Sequence, residues 1–395
     1  MADFSAKPLT RSLGIGVTEN SVELSAGEAG GLVTIPFTLD GLVLPDCGFS
    51  PAAVIDWWSS DWGAEWQPQS ATAADGVDLS ITAGRSSKGA HPFIVVRDHA
   101  TTLLLAVAWS GNWRIKARVD ASGQLVITAG LDRPIEHHLA RGRTAAAPSV
   151  ITSVAADRNS ASAQLINALR AHNRKPHPVL TEWNHWWPYE DMEINESVFL
   201  ANAAAAAKAG MQVAVLDAGW FGGDTAHWHD VRGDWDLQSR GKFPSGLKGV
   251  AEQTRKLGIE FGIWLEPEAI GKDARLNATH PELVARDAAG ASLGYVCLGS
   301  PAGRSFVVDT VRRVLNETKA VWLKWDFNID PGRGCERTDH GHTASDGLFA
   351  HVTHLYALLD KLRDEFPHTV FENCSSGGLR WDLGIAAHVD TGFAS

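Results

Sequence analysis

From residue 179 onward, short apolar runs alternate with helix-forming stretches, and most of the runs end in carboxylates. The runs predicted as strands are Val179–Trp186, Gln212–Asp217, Ile259–Glu266, Val321–Asp326, Thr369–Cys374 and His388–Ser395. Helices are predicted over Asn195–Ala209, Leu247–Leu257, Thr310–Glu317 and Gly347–Phe366. Such alternation requires parallel strands joined by right-handed crossovers. Asp217, Glu266, Glu268, Asp326 and Glu372 recur at strand ends, where a (β/α)8 barrel builds its active site. A doubly wound open sheet is the alternative, but no GxGxxG or Walker pattern supports it. Six strands are expected from this stretch, and a closed barrel uses eight.

The first 150 residues read differently. Runs such as Ser21–Ser25, Gly31–Ile35, Phe93–Val96, Thr102–Trp109, Trp113–Val119 and Leu125–Thr128 are separated by Gly, Asn, Asp and Ser turns. That spacing predicts an antiparallel sandwich. Asp157–Ser160 can cap a helix through His172, which Lys175-Pro-His-Pro178 then stops. The expected domains are a β-sandwich over 1–153, a linker helix over 154–178, and an incomplete (β/α)8 barrel over 179–395.

The net charge of −11 argues against a nucleic-acid partner. No 18-residue apolar run suits a membrane span, and Met1–Lys7 lacks the apolar stretch of a secretory signal. Cys47, Cys297, Cys335 and Cys374 form no CxxC, which fits free thiols in a reducing cytoplasm. The 16 tryptophans are the unusual count. Trp57–Trp58, Trp62, Trp66, Trp183, Trp186–Trp187, Trp220, Trp228 and Trp235 lie beside charged groups, and indoles serve either as core or as stacking faces for sugars.

The stretch Ala320-Val-Trp-Leu-Lys-Trp-Asp-Phe-Asn328 carries the most chemistry. Alternate strand residues share a face, so Lys324, Asp326 and Asn328 project together. They form either a site or a strand-end ion pair between Lys324 and Asp326. Retaining glycosidases need two carboxyl groups, one acting as nucleophile, and Asp326 is the candidate. Asp217 can accept a pair of hydroxyls or cap its following loop. Trp220 and Trp264 can supply apolar walls. Cys374, before Gly377 and Gly378, is a nucleophile candidate or a packing and ligand-contact residue. His227–His229, His340–His342 and His351–His354 match no HExxH spacing. They read as solvated loop and helix residues, and no metal is expected.

Together the motifs resemble glycoside hydrolase family 36, the melibiase-like α-galactosidases and α-N-acetylgalactosaminidases. Ser86–Phe93 and Ser110–Trp113 resemble the family's N-terminal β-supersandwich. Leu216-Asp-Ala-Gly-Trp-Phe-Gly222, Gly262-Ile-Trp-Leu-Glu-Pro-Glu268, Lys324-Trp-Asp-Phe-Asn328 and Glu372-Asn-Cys-Ser-Ser-Gly-Gly-Leu-Arg-Trp-Asp382 resemble its strand-end motifs. The resemblance implies a multidomain fold, a β-supersandwich followed by a (β/α)8 barrel that ends here after about six strands. It implies Asp326 as nucleophile, with Asp217, Trp220, Trp264, Lys324, Cys374, Gly377 and Arg380 binding substrate. It implies no cofactor, an oligosaccharide or glycoconjugate substrate with a terminal α-linked galactose-type sugar, and a homo-oligomer when full length.

Two departures stand out. The family commonly has two adjacent Asp residues where this chain has Asp217–Ala218. Its acid/base Asp, counted from Asp382, falls directly after Ser395. The expected activity is exo-acting, retaining hydrolysis of α-galactosides or α-N-acetylgalactosaminides through a covalent glycosyl-enzyme. An α-glucosidase of the same clan and a non-catalytic carbohydrate-binding barrel are the alternatives.

Overall fold

A computed structural model describes residues 4–28, 30–44, 49–120, 122–178 and 180–395. Cys47, and Val179 at the start of the first predicted barrel strand, lie outside the described residues. In the strand Trp113–Val119, Trp113, Ile115, Ala117 and Val119 are buried, while Arg114, Lys116 and Arg118 turn outward. This period-two pattern is what one packed face demands. The strand lies in a 4-stranded antiparallel sheet with Leu39–Leu44, Leu125–Leu131 and Val77–Ser80. A 9-stranded sheet runs along Phe4–Gly14, Val17–Ala26, Ser149–Ala155, Thr101–Ala108, Phe93–Asp98, Val54–Ser60 and Gln67–Thr72, with two short strands alongside. Leu103, Leu105 and Val107 of this sheet share one core with Ile115, Ala117 and Ile127 of the smaller sheet.

Thr101–Ala108 is buried on both faces, which is why it reads as a continuous apolar run rather than an alternation. Its second face, Leu104 and Ala106, is covered by Ala161, Leu165 and Ala168 of the helix Arg158–His172. The segment expected to link two domains therefore packs as a layer on the sheet. Asp157 caps it as predicted, accepting from Ser160 N–H at 3.0 Å.

The second half holds a 6-stranded sheet, all parallel and in sequential order. Its strands are Glu182–Asn184, Val213–Leu216, Glu260–Leu265, Trp322–Trp325, Val370–Asn373 and Thr391–Gly392. The order never reverses, so the described strands contain no switch point of the doubly wound kind. The second, fourth and fifth strands are buried throughout. Helices Glu196–Lys208, Gly246–Lys256, Pro301–Thr318 and Gly347–Glu365 pack in the same core. The Pro301–Thr318 helix starts nine residues before the predicted Thr310, because Pro301 pre-sets the first helical turn. Residues after Asn184 do not continue the predicted strand to Trp186. They form a helix, Trp186–Glu193, broken at Glu190 by a positive φ of 46°.

The halves interlock. Leu348, Phe349 and Val352 of the Gly347–Glu365 helix enter the sandwich core. Ser86 Oγ donates to Asp382 at 2.5 Å, and Ser87 Oγ to the Gly378 carbonyl at 2.8 Å. Arg85 pairs with Asp330 at 2.7 Å. Among the described residues, no helix is long and apolar enough to cross a membrane.

Candidate active site

A cavity of about 320 Å³ opens at the carboxyl ends of the parallel strands. That end is where parallel sheets place their sites, because the strand-end loops converge there. Asp217, Trp264, Lys324, Asp326, Cys374 and Gly377 line it, as the sequence suggested. Asn328 joins them, so the three alternate residues of the Lys324–Asn328 stretch do face one space.

Lys324 does not pair with Asp326. Its ammonium donates to Asp217 Oδ2 at 2.9 Å, and both side chains are buried. The second strand brings Asp217 to the same level as the fourth strand, and the carboxylate is the nearest available counter-charge. Burial pushes the Asp217 carboxyl up, but Lys324 and a 2.8 Å bond from Asn184 hold it below its ordinary value. Burial likewise pushes Lys324 down, yet Asp217, Cys374, Asp326 and Glu372 raise it overall. The pair is therefore ionised throughout the working range. His185 accepts the Asp217 N–H at 3.0 Å through Nδ1. Burial lowers its pKa to about 4, so it stays neutral.

Asp326 stands apart from this pair. Trp264 Nε1–H donates to Oδ2 at 3.0 Å, and the Phe327 N–H to Oδ1 at 2.8 Å. Ser376 N–H reaches the same Oδ1 at 3.4 Å. These donors fix the carboxylate without neutralising it. Ser376 itself has a positive φ of 47° and donates through N–H and Oγ to Asn328 Oδ1, each at 2.7 Å. A strained serine held between Asn328 and Arg85 orders the wall next to Asp326. Gly377 follows with φ of 75°, and a Cβ there would meet Ser395 Oγ at 2.6 Å and Glu65 Oε1 at 2.7 Å.

Two residues expected to bind substrate, Trp220 and Arg380, do not line the cavity. Trp220 is fully buried, and its Nε1–H donates to the Trp264 carbonyl at 3.2 Å. Its ring meets Phe221 edge-on at 5.1 Å and Trp235 at a tilt at 6.1 Å. Arg380 is drawn to Glu268, which it contacts at 3.0 and 3.2 Å. His351 at 2.7 Å and Trp325 at 2.8 Å complete that cluster. Burial raises Glu268, but these partners, led by Arg380, bring it down to about 2. Glu266 is occupied as well, by Arg232 at 3.0 and 3.1 Å and by Asn328. Neither strand-end glutamate lines the cavity. Burial pushes the Cys374 thiol well up, as does the neighbouring Asp326. It faces the cavity as a thiol rather than a thiolate, which favours the contact role over the nucleophile role.

Sequence reasoning missed part of the mouth. Trp62, Trp187 and Glu190 line the cavity. The Trp62 and Trp187 rings stack at 6.0 Å across the junction of the two halves. Glu65 fixes this edge by accepting from Gly378 N–H at 3.0 Å and Ser395 N–H at 2.9 Å. The available signal was the tryptophan excess, which includes Trp62, Trp186 and Trp187. Their convergence depends on how the sandwich docks, which no local pattern encodes.

The melibiase family profile matches residues 151–395. α-Galactosidase 1 of Pediococcus pentosaceus is 29% identical over 335 residues, covering 79% of this chain and 44% of that protein. The α-galactosidase of Escherichia coli is 28% identical over 354 residues, covering 85% of this chain and 48% of that protein. The chain thus spans about half the length of these curated relatives. Among solved structures, the glycoside hydrolase family 36 α-galactosidase AgaA of Geobacillus stearothermophilus superposes with a TM-score of 0.87. It is 22% identical, and the match covers 99% of this chain and 56% of that one. A profile that spans more than half of the chain, with strand-end residues gathered around one cavity, decides the family: this chain belongs to the melibiase family.

Proposed function

We propose that this chain forms the sandwich and the nucleophile-bearing part of the barrel of a retaining exo-acting glycosidase. Its substrates are terminal α-galactosides or α-N-acetylgalactosaminides. The observation that carries the reading is Asp326. It is an oriented carboxylate that forms no ion pair among the described residues, 3.0 Å from Trp264 Nε1, in a cavity whose other central carboxylate is tied to Lys324. Relatives named α-galactosidase and a family 36 structure solved with raffinose support the substrate class.

The geometry supports a double-displacement mechanism. Asp217 and Lys324 supply an acceptor and a donor for sugar hydroxyls, and Trp264 and the Trp62–Trp187 edge supply apolar faces. Asp326 Oδ attacks the anomeric carbon, and the glycosidic C–O bond breaks as an ester forms. A second carboxylic acid gives its proton to the departing oxygen. As a carboxylate it then deprotonates the water that cleaves the ester and frees Asp326. The family resemblance puts that residue directly after Ser395. We assign residues 1–153, 154–178 and 179–395 to sandwich, connecting helix and barrel, the six parallel strands being barrel wall. Cys297, Cys335 and Cys374 are buried outside any disulfide, which favours a cytoplasmic enzyme, and the family resemblance implies a homo-oligomer.

The test is a panel of nitrophenyl α-glycosides with the full-length protein. The α-galactoside or α-N-acetylgalactosaminide should show the largest kcat/KM, and the first-formed sugar should keep its anomeric configuration. A preference for the α-glucoside, an inverted first product, or binding without turnover would each contradict the proposal.

Ala218 weakens the plain-galactoside reading, because one acceptor for a sugar hydroxyl is lost, and it leaves room for an α-glucosidase of the same clan. It lines the cavity with a methyl group where the family commonly places a second carboxylate. Ala218→Asp adds a charged acceptor, and such bonds contribute about 1.5–3 kcal/mol. The kcat/KM ratio of α-galactoside to α-N-acetylgalactosaminide should rise by about 10-fold or more. An unchanged ratio would show that residue 218 does not face the sugar.

A further inference from the structure

Cys297, Cys335, His340 and His342 meet at one point away from the cavity lining. All four are buried, and their sulfur and ring-nitrogen atoms lie within 4.8 Å of one another. Cys297 Sγ is 3.3 Å from His342 Nε2, and Cys335 Sγ is 3.6 Å from His340 Nδ1. The sequence pattern suggested solvated histidines here. The structure corrects this, because His340 and His342 are 2% and 6% exposed. The ligand set was hidden from sequence because Cys297 joins it from 38 positions before Cys335, across the fold.

The spacing is that of a tetrahedral metal site. Zinc bonds of about 2.3 Å to sulfur and about 2.0–2.1 Å to nitrogen place tetrahedral S and N ligands about 3.6 Å apart. The two measured contacts already sit near that separation. The ring of His342 is oriented for it. Its Nδ1–H donates to the Thr343 carbonyl at 2.7 Å, so Nε2 presents a lone pair toward Cys297. Asp346 stands 4.0 Å from the same Nδ1. The backbone is shaped to admit the ring as well, since a Cβ on Gly299 would meet His342 Cδ2 at 2.4 Å.

We propose that Cys297, Cys335, His340 and His342 hold a structural zinc ion. Two thiolates and two imidazoles suit zinc, and four protein ligands close its coordination shell, leaving no position for a substrate. The ion would clip the long connection between the fourth parallel strand and the Gly347–Glu365 helix to the end of the strand Ser292–Val296. That connection has no regular helix or strand, yet it begins with Asp326, Asn328 and Asp330. A loop of this length needs an anchor to hold catalytic atoms in place. Cys335 and Cys297 also pack with Phe327, the residue next to Asp326.

The experiment uses full-length protein purified without chelator or immobilised metal. Mass spectrometric metal analysis should find one zinc per chain, and C297S, C335S and H342A should each retain less than about a tenth of it. Cobalt(II) exchanged into the wild type should give the visible bands of a tetrahedral site and a thiolate charge-transfer band. The cobalt spectrum decides the question even if the variants fail to fold. Folded wild type that holds neither zinc nor cobalt would overturn the proposal. So would a non-reducing thiol count showing Cys297 and Cys335 joined as a disulfide, or full zinc retention in C335S.

Discussion

Asp326→Gly in the full-length protein should lower kcat on α-glycosides by about 10⁴-fold or more, because it removes the proposed nucleophile and with it the covalent route. No neighbour is placed to substitute. Asp217 is held by Lys324, Asn184 and its own following N–H, and Glu190 is an exposed residue at the mouth. The fold should survive, since the variant forfeits only a few hydrogen bonds at the cavity wall, each contributing about 1 kcal/mol. Azide is a small anionic nucleophile that can act in place of the missing carboxylate. With an activated aryl α-glycoside it should restore part of the turnover and yield a glycosyl azide of inverted configuration. Thermal melting checks the fold, and steady-state kinetics with product analysis check the role. Retention of a tenth of wild-type kcat would remove Asp326 from the mechanism.

Lys324→Met should have the largest effect on stability. It strands the Asp217 carboxylate in a site that is 3% exposed, and breaking a buried pair on one side costs about 3–5 kcal/mol. Asp217→Asn, which keeps the Asn184 contact, should cost less, and the double variant should cost less than the sum of the two. The pH dependence has a definite sign. Asp217 has a lowered folded pKa, so its contribution is present above the unfolded carboxyl value. It fades as pH falls through the folded one. Glu268, brought down to about 2, acts in the same direction. Lys324 is raised, so its contribution is complete below the ordinary lysine value and is lost only as pH climbs through the higher folded one. Wild type should therefore lose melting temperature as pH falls below about 5, where these lowered carboxylates begin to protonate. The Lys324→Met/Asp217→Asn protein should show a shallower acid slope. Urea titration across pH measures both, and identical slopes would show that the pair does not titrate with folding.

The middle of the parallel half was legible because four of its strands are short, largely apolar and followed by a polar end. Four predicted strands, Gln212–Asp217, Ile259–Glu266, Val321–Asp326 and Thr369–Cys374, cover observed strands to within two residues. The strand Phe4–Gly14 was not legible. Nearly all of it is exposed, and it forms by pairing with Val17–Ala26 rather than by burying a face. At the site, alternation alone placed Lys324, Asp326 and Asn328 together. It could not say which carboxylate Lys324 would meet, because that depends on the height of the second strand against the fourth. The positions of Trp220 and Arg380 were missed for the same reason. A tryptophan or arginine beside a motif reads the same from sequence whether it faces the cavity or the layer behind it.

The central claim is that Asp326 forms the covalent bond to sugar. An activated 2-fluoro or 5-fluoro α-galactosyl fluoride, incubated with the full-length protein and followed by peptide mass spectrometry, measures this directly. The sugar should be found as an ester on the peptide carrying Lys324-Trp-Asp-Phe-Asn328, at Asp326. A label on Asp217, on Glu190 or on any residue outside that peptide would contradict it.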